Sequence, residues 1–270
     1  MKNYDLKDQV AVVTGGAGLL GKEYSLVLSE AGAHVVVADI LGTKAADVAA
    51  QVSEKFGVKA MSHATDVANP KSVTDLVNAT LSEFGRVDIL VNNAALDPKF
   101  DAVHNGEHTS NFEKFPFSMW QESLDVNVTG MFLCAQAVAE PMLAAGSGVI
   151  VNISSTYGLV GPDQRLYKRE GEPDQYKPVT YSVAKAAVLG LTRYLATYFR
   201  GNGIRVNTLT PGGVYAEHDA EFRERYAEKT LLNRMANPEE ISSALLFLVS
   251  PASSYMTGSN LIVDGGWTAW

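Results

Sequence analysis

Tyr181-Ser-Val-Ala-Lys185, with Ser155 upstream, is the set of residues in this chain whose types and spacing suit proton transfer. On a helix opening at Tyr181, Lys185 lies four residues on, one turn above on the same face, which holds an ammonium beside a phenol. A free phenol has a pKa of about 10, too high for efficient transfer at neutral pH. A neighbouring cation favours the phenolate and brings the group toward the working pH. The same spacing is also a common accident on helix surfaces, so the surrounding elements must decide between the two.

The alternation of strands and helices supplies them. Gln9 to Thr14 is a short β-branched run that breaks at Gly15-Gly-Ala-Gly-Leu-Leu-Gly21 before a helical stretch, Lys22 to Ala31. Glycines at 15, 18 and 21 let the backbone turn tightly and approach a pyrophosphate, whose charge is met by amides at the helix start. The next strand, His34 to Ala38, ends in Asp39, 18 residues after Gly21. A carboxylate there accepts hydrogen bonds from ribose hydroxyls and repels a 2′-phosphate, and no cation follows before Lys44, so NAD(H) is expected over NADP(H).

Further helices are expected at Lys44 to Phe56, Lys71 to Phe84, Met119 to Met142, Tyr181 to Phe199 and Pro238 to Val249. Strands are expected at Lys59 to His63, Val87 to Val91, Gly148 to Ile153, Ile204 to Leu209 and Asn260 to Asp264. Asp66-Val67 falls where an adenine could stack, and Asn92-Asn93-Ala94-Ala95 offers small residues for close approach to a cofactor. Asn127, in the middle of the long helix, either caps a bend or holds a water. The expected fold is α/β: one Rossmann-type, doubly wound parallel sheet of about seven strands with helices on both faces.

Composition narrows the partners. A chain of 270 residues, 46% hydrophobic, can bury a full single-domain core. Net charge is −8, and Lys and Arg are scattered, which argues against nucleic acid and for a small ligand. The single cysteine, Cys134, sits in an apolar helical run and reads as core. No apolar signal core opens the chain and no apolar run approaches the roughly 20 residues that span a bilayer, so a cytoplasmic protein without membrane contact is expected. No metal site is expected.

Taken together, Thr14-Gly-Gly-Ala-Gly-Leu-Leu-Gly21, Asp66-Val67, Asn92 to Ala95, Asn127, Ile153-Ser-Ser155, Tyr181 to Lys185, Pro211-Gly212 and Asp264-Gly-Gly266 resemble the motifs of the short-chain dehydrogenase/reductase family over nearly the whole chain. The resemblance implies Ser155, rather than Ser154, as catalytic serine and Tyr181 as general acid/base. It makes Lys185 the residue that lowers the Tyr181 pKa and binds the nicotinamide ribose, and has Asn127 hold a relay water. It implies a cofactor site that includes Leu19, Leu20, Ile40, Asn93, Ala94, Ala95, Pro211, Gly212 and Val214, and a homodimer or homotetramer. The reaction implied is hydride transfer between a secondary alcohol or its ketone and the nicotinamide. A non-catalytic nucleotide-sensing or scaffold protein on the same fold is the alternative, and the retention of Ser155, Tyr181 and Lys185 argues against it.

The chain departs from the family pattern in three places. Leu19 stands where shorter members carry glycine, a spacing similar to the nucleotide-sugar-modifying branch. Ala216 replaces the usual threonine after Pro211-Gly-Gly-Val214, leaving backbone near Val214 to substitute. Two segments, Leu96 to Ser118 and Leu159 to Lys177, are long, the second helping to separate Ser155 from Tyr181 by 26 residues; long loops are usually functional. With Tyr215 to Thr230 they are expected to wall the substrate pocket. Lys99, His104, His108, Arg165, Lys168, Arg169 and Lys177 in them could meet a phosphate or carboxylate. Arg165 and Arg169, with Ser155 and Tyr215, are the candidate substrate contacts, although Asp163, Glu170, Glu172 and Asp174 could neutralise the loop. The Asn92-Asn-Ala-Ala-Leu-Asp97-Pro-Lys-Phe-Asp101 stretch and the basic insert resemble oxidoreductases of bacterial flagellin-modification and surface-sugar clusters, which implies a sugar or sugar-acid substrate, anionic if the arginines bind it. The terminal Trp267-Thr-Ala-Trp270 is expected to anchor a subunit contact.

Overall fold

Val-rich runs with no polar face need cover on both sides, and a parallel sheet between two helical layers provides it. The computed structural model describes residues 2–97, 111–169, 171 and 174–270. Its strands are β1 (Val10–Thr14), β2 (His34–Asp39), β3 (Ala60–Ala64), β4 (Ile89–Asn92), β5 (Gly148–Ile153), β6 (Ile204–Pro211) and β7 (Asn260–Val263). They form one parallel sheet in the order β3-β2-β1-β4-β5-β6-β7. The helices are α1 (Leu19–Glu30), α2 (Gly42–Phe56), α3 (Pro70–Phe84), α4 (Phe117–Leu124), α5 (Gly130–Ala145), α6 (Val179–Tyr198), α7 (Ala220–Ala227) and α8 (Pro238–Val249).

Side-chain alternation along each strand splits the core in two. Ala11, Val13, Val35, Val37 and Val151 pack with α1, α2 and α8 on one face. Val10, Val12, Val36, Ile150 and Val206 pack with α3 and α5 on the other. Each buried Val or Ile side chain contributes roughly 1.5–3 kcal/mol relative to exposure. The strand order reverses between β1 and β4, which opens a crevice at the carboxyl ends of the strands.

Local signals set the helix ends. Asn69 accepts from the Lys71 and Ser72 amides ahead of Pro70, and α3 stops at Gly85 in the left-handed region. At α8, Asn237 and Glu240 form a capping box around Pro238.

The helix expected over Met119 to Met142 is broken: a π-helical turn at Asp125–Thr129 separates α4 from α5. Even so, Phe117–Ala145 is long and apolar enough, by length and composition, to cross a membrane, contrary to the expectation that no run reaches that size. Packing within the chain accounts for part of that apolar content: α5 buries Met131, Cys134, Val138 and Met142 and lies against α3, β4 and β5, while Phe117, Phe132 and Leu143 are exposed.

The segments expected as loops are partly ordered. Leu159 to Lys177 contains a 3-10 turn at Gln164–Tyr167, and Tyr215 to Thr230 contains α7. Of Leu96 to Ser118, residues 98–110, with Lys99, His104 and His108, lie outside the described residues, as do Glu170, Glu172 and Pro173.

Candidate active site

A cavity of about 500 Å³ follows the crevice, from Gly15, Leu19 and Asp39 at one end to Tyr181, Tyr226 and Met235 at the other. At the first end the glycines have separate duties. Gly15 has φ +61, and a Cβ there would lie 2.7 Å from the Ala94 Cα; a Cβ on Gly21 would lie 2.0 Å from the Gly15 carbonyl oxygen. These two close the turn on itself and seat α1 against it. A Cβ on Gly18 would meet only the Gly15 oxygen, at 3.3 Å, so its outer face stays open beside the free amides of the α1 first turn.

Asp39 accepts from the Ala17 amide at 3.0 Å and the Leu41 amide at 2.9 Å, which fixes its carboxylate between the glycine turn and the end of β2. Asn93 donates to the Thr14 and Gly15 carbonyls. This combination of glycine cradle, helix amides and fixed carboxylate fits a dinucleotide. Gly15, Gly18, Leu19, Leu20, Asp39, Asn93, Ala95, Pro211, Gly212 and Val214 line the cavity as expected.

Five expected cofactor residues do not line it, and two of them, Gly21 and Ala94, instead support the turn. Ile40 is exposed at the end of β2. Asp66 spends its carboxylate on the Ala68 amide, in a turn that leads into α3. Val67 is buried against Gly130.

At the other end, β5 delivers Ser154 and Ser155. The Ser154 hydroxyl donates to the Lys185 carbonyl at 2.7 Å and is spent on that contact. Ser155 faces the cavity, where its hydroxyl accepts from the Tyr157 amide at 3.3 Å and hydrogen-bonds Tyr181. Tyr181 and Lys185 both lie on α6 and line the cavity. The Lys185 ammonium donates to the Ile153 carbonyl at 2.9 Å and is 5.9 Å from the centre of the Tyr181 ring.

Burial dominates the electrostatics. It raises the Tyr181 phenol, the Asp97 charge adds to the rise, and the Ser155 hydrogen bond opposes it. The Lys185 ammonium is pushed down to about 8 by burial, with Asp97 raising and Lys177 lowering it. The expected pull of Lys185 on the phenol is therefore outweighed within the chain by desolvation of both groups.

Asn127 is buried at the centre of the π-helical turn. Its amide oxygen accepts from the Leu96 amide at 2.7 Å, and its nitrogen donates to the Leu96 carbonyl and to Ser123. The side chain thus ties the segment after β4 to the helical break, which matches the bend-capping alternative. It does not line the cavity.

The expected substrate arginines lie elsewhere. Arg165 is exposed and makes a two-pronged pair with Asp163. Arg169 pairs with Asp219 and Glu221 and donates to the Leu166 and Lys168 carbonyls, which fastens the insert to α7. Neither lines the cavity, because acidic neighbours within reach hold both on the outer side of the insert. Tyr215 is also outside, its ring against Arg223, while Val214 and Ala216 line the wall.

Residues missed in the sequence take their place. Tyr157, Tyr167, Phe222, Tyr226 and Met235 form an apolar wall backed by Trp267, which stacks on Tyr226 with ring centroids 4.5 Å apart. The expected subunit anchor Trp267 is thus a buried anchor under the site of its own chain. On the opposite side, Lys177 donates to both carboxylate oxygens of Asp97 at 2.7 Å. The sequence signal for this wall is the aromatic content of the inserts, Tyr167, Phe222 and Tyr226.

The chain is similar to known proteins over nearly its whole length. The family model described as enoyl-(acyl carrier protein) reductase matches residues 17–268. A cis-4-hydroxycyclohexanecarboxylate dehydrogenase from Sinomonas cyclohexanicum is 36% identical, with 97% of each chain covered. A D-threitol dehydrogenase from Mycolicibacterium smegmatis is 35% identical, covering 98% of this chain and 95% of that one. Among solved structures, a gluconate 5-dehydrogenase from Burkholderia cenocepacia in complex with NADP and tartrate superposes with a TM-score of 0.86 at 29% identity, over 100% and 98% of the two chains. The chain belongs to the short-chain dehydrogenase/reductase family. It is an alcohol/ketone oxidoreductase that uses a nicotinamide cofactor.

Proposed function

We propose that the protein is an NAD(H)-dependent dehydrogenase that interconverts a secondary alcohol and a ketone on a sugar- or polyol-type substrate. The observation that carries this reading is the convergence of Ser155 and Tyr181 in a cavity that begins at the glycine turn and Asp39. Asp39 supports NAD(H), since its fixed carboxylate repels a 2′-phosphate; the gluconate 5-dehydrogenase neighbour, by contrast, holds NADP. The cited relatives act on hydroxylated small molecules, which agrees with a polar alcohol substrate.

In the reaction, the Ser155 hydroxyl and the Tyr181 phenol hold one substrate oxygen, which orients its carbon. Tyr181 takes a proton from that oxygen during oxidation and returns it during reduction. The nicotinamide, when bound, accepts or supplies the hydride. Lys185 holds positive charge beneath Tyr181 and favours its ionised form. Asn127 keeps the segment after β4 against the helical break. The aromatic wall excludes bulk water from the reacting end.

On the same reading the protein acts in the cytoplasm as a homodimer or homotetramer. The exposed Phe117, Phe132, Tyr194 and Tyr198 along α4 to α6 support self-association. The function is tested by following NADH formation over a panel of polyols, sugars, sugar acids and cyclic alcohols, with NADP⁺ in parallel. Turnover with NAD⁺ on a hydroxylated compound is the expected result. Activity confined to NADP⁺ would contradict the cofactor assignment.

A further inference from the structure

We propose that Asp97 and Lys177 form a diol-reading subsite, which takes substrates with a hydroxyl on the carbon next to the one oxidised. This rests on the reading above that Tyr181 handles the reacting oxygen.

The Lys177 ammonium is 3.9 Å from the centre of the Tyr181 ring and 2.7 Å from each Asp97 carboxylate oxygen. Both side chains line the cavity, Lys177 nearly buried and Asp97 half exposed. An ammonium has three N–H donors, of which Asp97 occupies two; the carboxylate has lone pairs to spare. The pair therefore presents one donor and one acceptor side by side, with no net charge, next to the reacting end of the site. A hydroxyl both donates and accepts, so it satisfies such a pair completely.

Other substrate chemistries fit less well. An anionic group gains little from Lys177, because Asp97 already neutralises it and adds repulsion. Arg165 and Arg169 are neutralised outside the cavity. A purely apolar alcohol would strip water from the pair without replacing its hydrogen bonds, which is costly. The facing Tyr157, Tyr167 and Phe222 rings suit the C–H faces of a compact polyhydroxylated ring. The bland alternative is that the ion pair only ties the Leu159 to Lys177 insert to the end of β4, and the test separates the two.

The experiment compares kcat/KM with NAD⁺ for cyclohexanol, trans-1,2-cyclohexanediol and 4-hydroxycyclohexanecarboxylate, in the native protein and in Asp97→Asn, Lys177→Gln and Asp97→Glu. The native protein should favour the diol over cyclohexanol at least tenfold. That ratio should fall at least fivefold in Asp97→Asn and in Lys177→Gln, and survive in Asp97→Glu. A native ratio near one, or a ratio that persists while Lys177→Gln slows both alcohols alike, overturns the proposal and leaves the pair a positioning device for Tyr181. A carboxylate substrate that is preferred, and preferred more strongly in Asp97→Asn, also overturns it in favour of an anion site. In either case the dehydrogenase reading stands, because cyclohexanol is still oxidised. Binding of NADH without turnover of any alcohol would instead sink that reading, and the subsite with it.

Discussion

The Lys185 ammonium donates to the Ile153 carbonyl at 2.9 Å from a buried position where its pKa is pushed down to about 8. Holding a lysine there costs stability. Below pH 8 it is charged in both folded and unfolded chains, and the fold carries the whole cost, on the order of 3 kcal/mol relative to the ordinary value of 10.5. Between about 8 and 10.5 the unfolded chain binds more protons, so stability rises with pH. Lys185→Met should therefore be more stable than the native protein at pH 7, by about 1–2 kcal/mol after losing the Ile153 hydrogen bond. The advantage should shrink by pH 10.5, and urea unfolding at the two pH values checks it. A variant less stable at pH 7 would show that the hydrogen bond outweighs desolvation.

Gly18 and Gly21 should respond differently to a methyl group. Gly21→Ala forces a Cβ against the Gly15 carbonyl and should destabilise the fold by about 1–3 kcal/mol, measured by thermal unfolding. Gly18→Ala meets far less of the protein and should fold normally. Its methyl faces the cradle, so NADH affinity, read by fluorescence titration, should fall several-fold.

Asp39 should set cofactor preference. Asp39→Asn keeps an acceptor for the Ala17 amide but removes the charge. The native preference for NAD(H) over NADP(H), as a ratio of kcat/KM, should fall at least tenfold, about 1.4 kcal/mol. An unchanged ratio would place cofactor selection elsewhere.

Elements whose cause is local were legible in the sequence. The β-branched strands, the glycine turn, Asp39 at the end of β2 and the Tyr181–Lys185 spacing follow from period, turn chemistry and one helical turn, and they put the cofactor end of the cavity and the Tyr181–Lys185 pair in place. Ser155 could be separated from Ser154 only by resemblance; the structure adds the reason, which is that Ser154 bonds the Lys185 carbonyl. The substrate end depends on contacts between distant segments. Arg169 meets Asp219 across 50 residues, Lys177 meets Asp97 across 80, and Trp267 packs beneath Tyr157 from the far end of the chain. No local pattern announces such pairs. The π-helical turn at Asn127 was half legible, as an amide in an apolar run, while the Leu96 backbone that claims the amide was not.

The insert arginines provide a check on that substrate end. Arg165→Ala should leave KM for any good substrate within about threefold, because the exposed Arg165 is paired with Asp163 and does not line the cavity. A tenfold rise in KM for an anionic substrate would restore the anionic reading and weaken the case for a neutral polyol.

In the proposed mechanism the Tyr181 phenol carries the proton in a cavity shared with the dinucleotide. Steady-state turnover and NADH binding of Tyr181→Phe, measured side by side, test it most directly. The ring still packs against Tyr157 and beneath Lys177, so NADH affinity should stay within about threefold, while kcat should fall by at least a thousandfold, about 4 kcal/mol in barrier. Retention of more than about a tenth of native kcat, a barrier change of under about 1.4 kcal/mol, would mean that another group is the acid and would contradict the account.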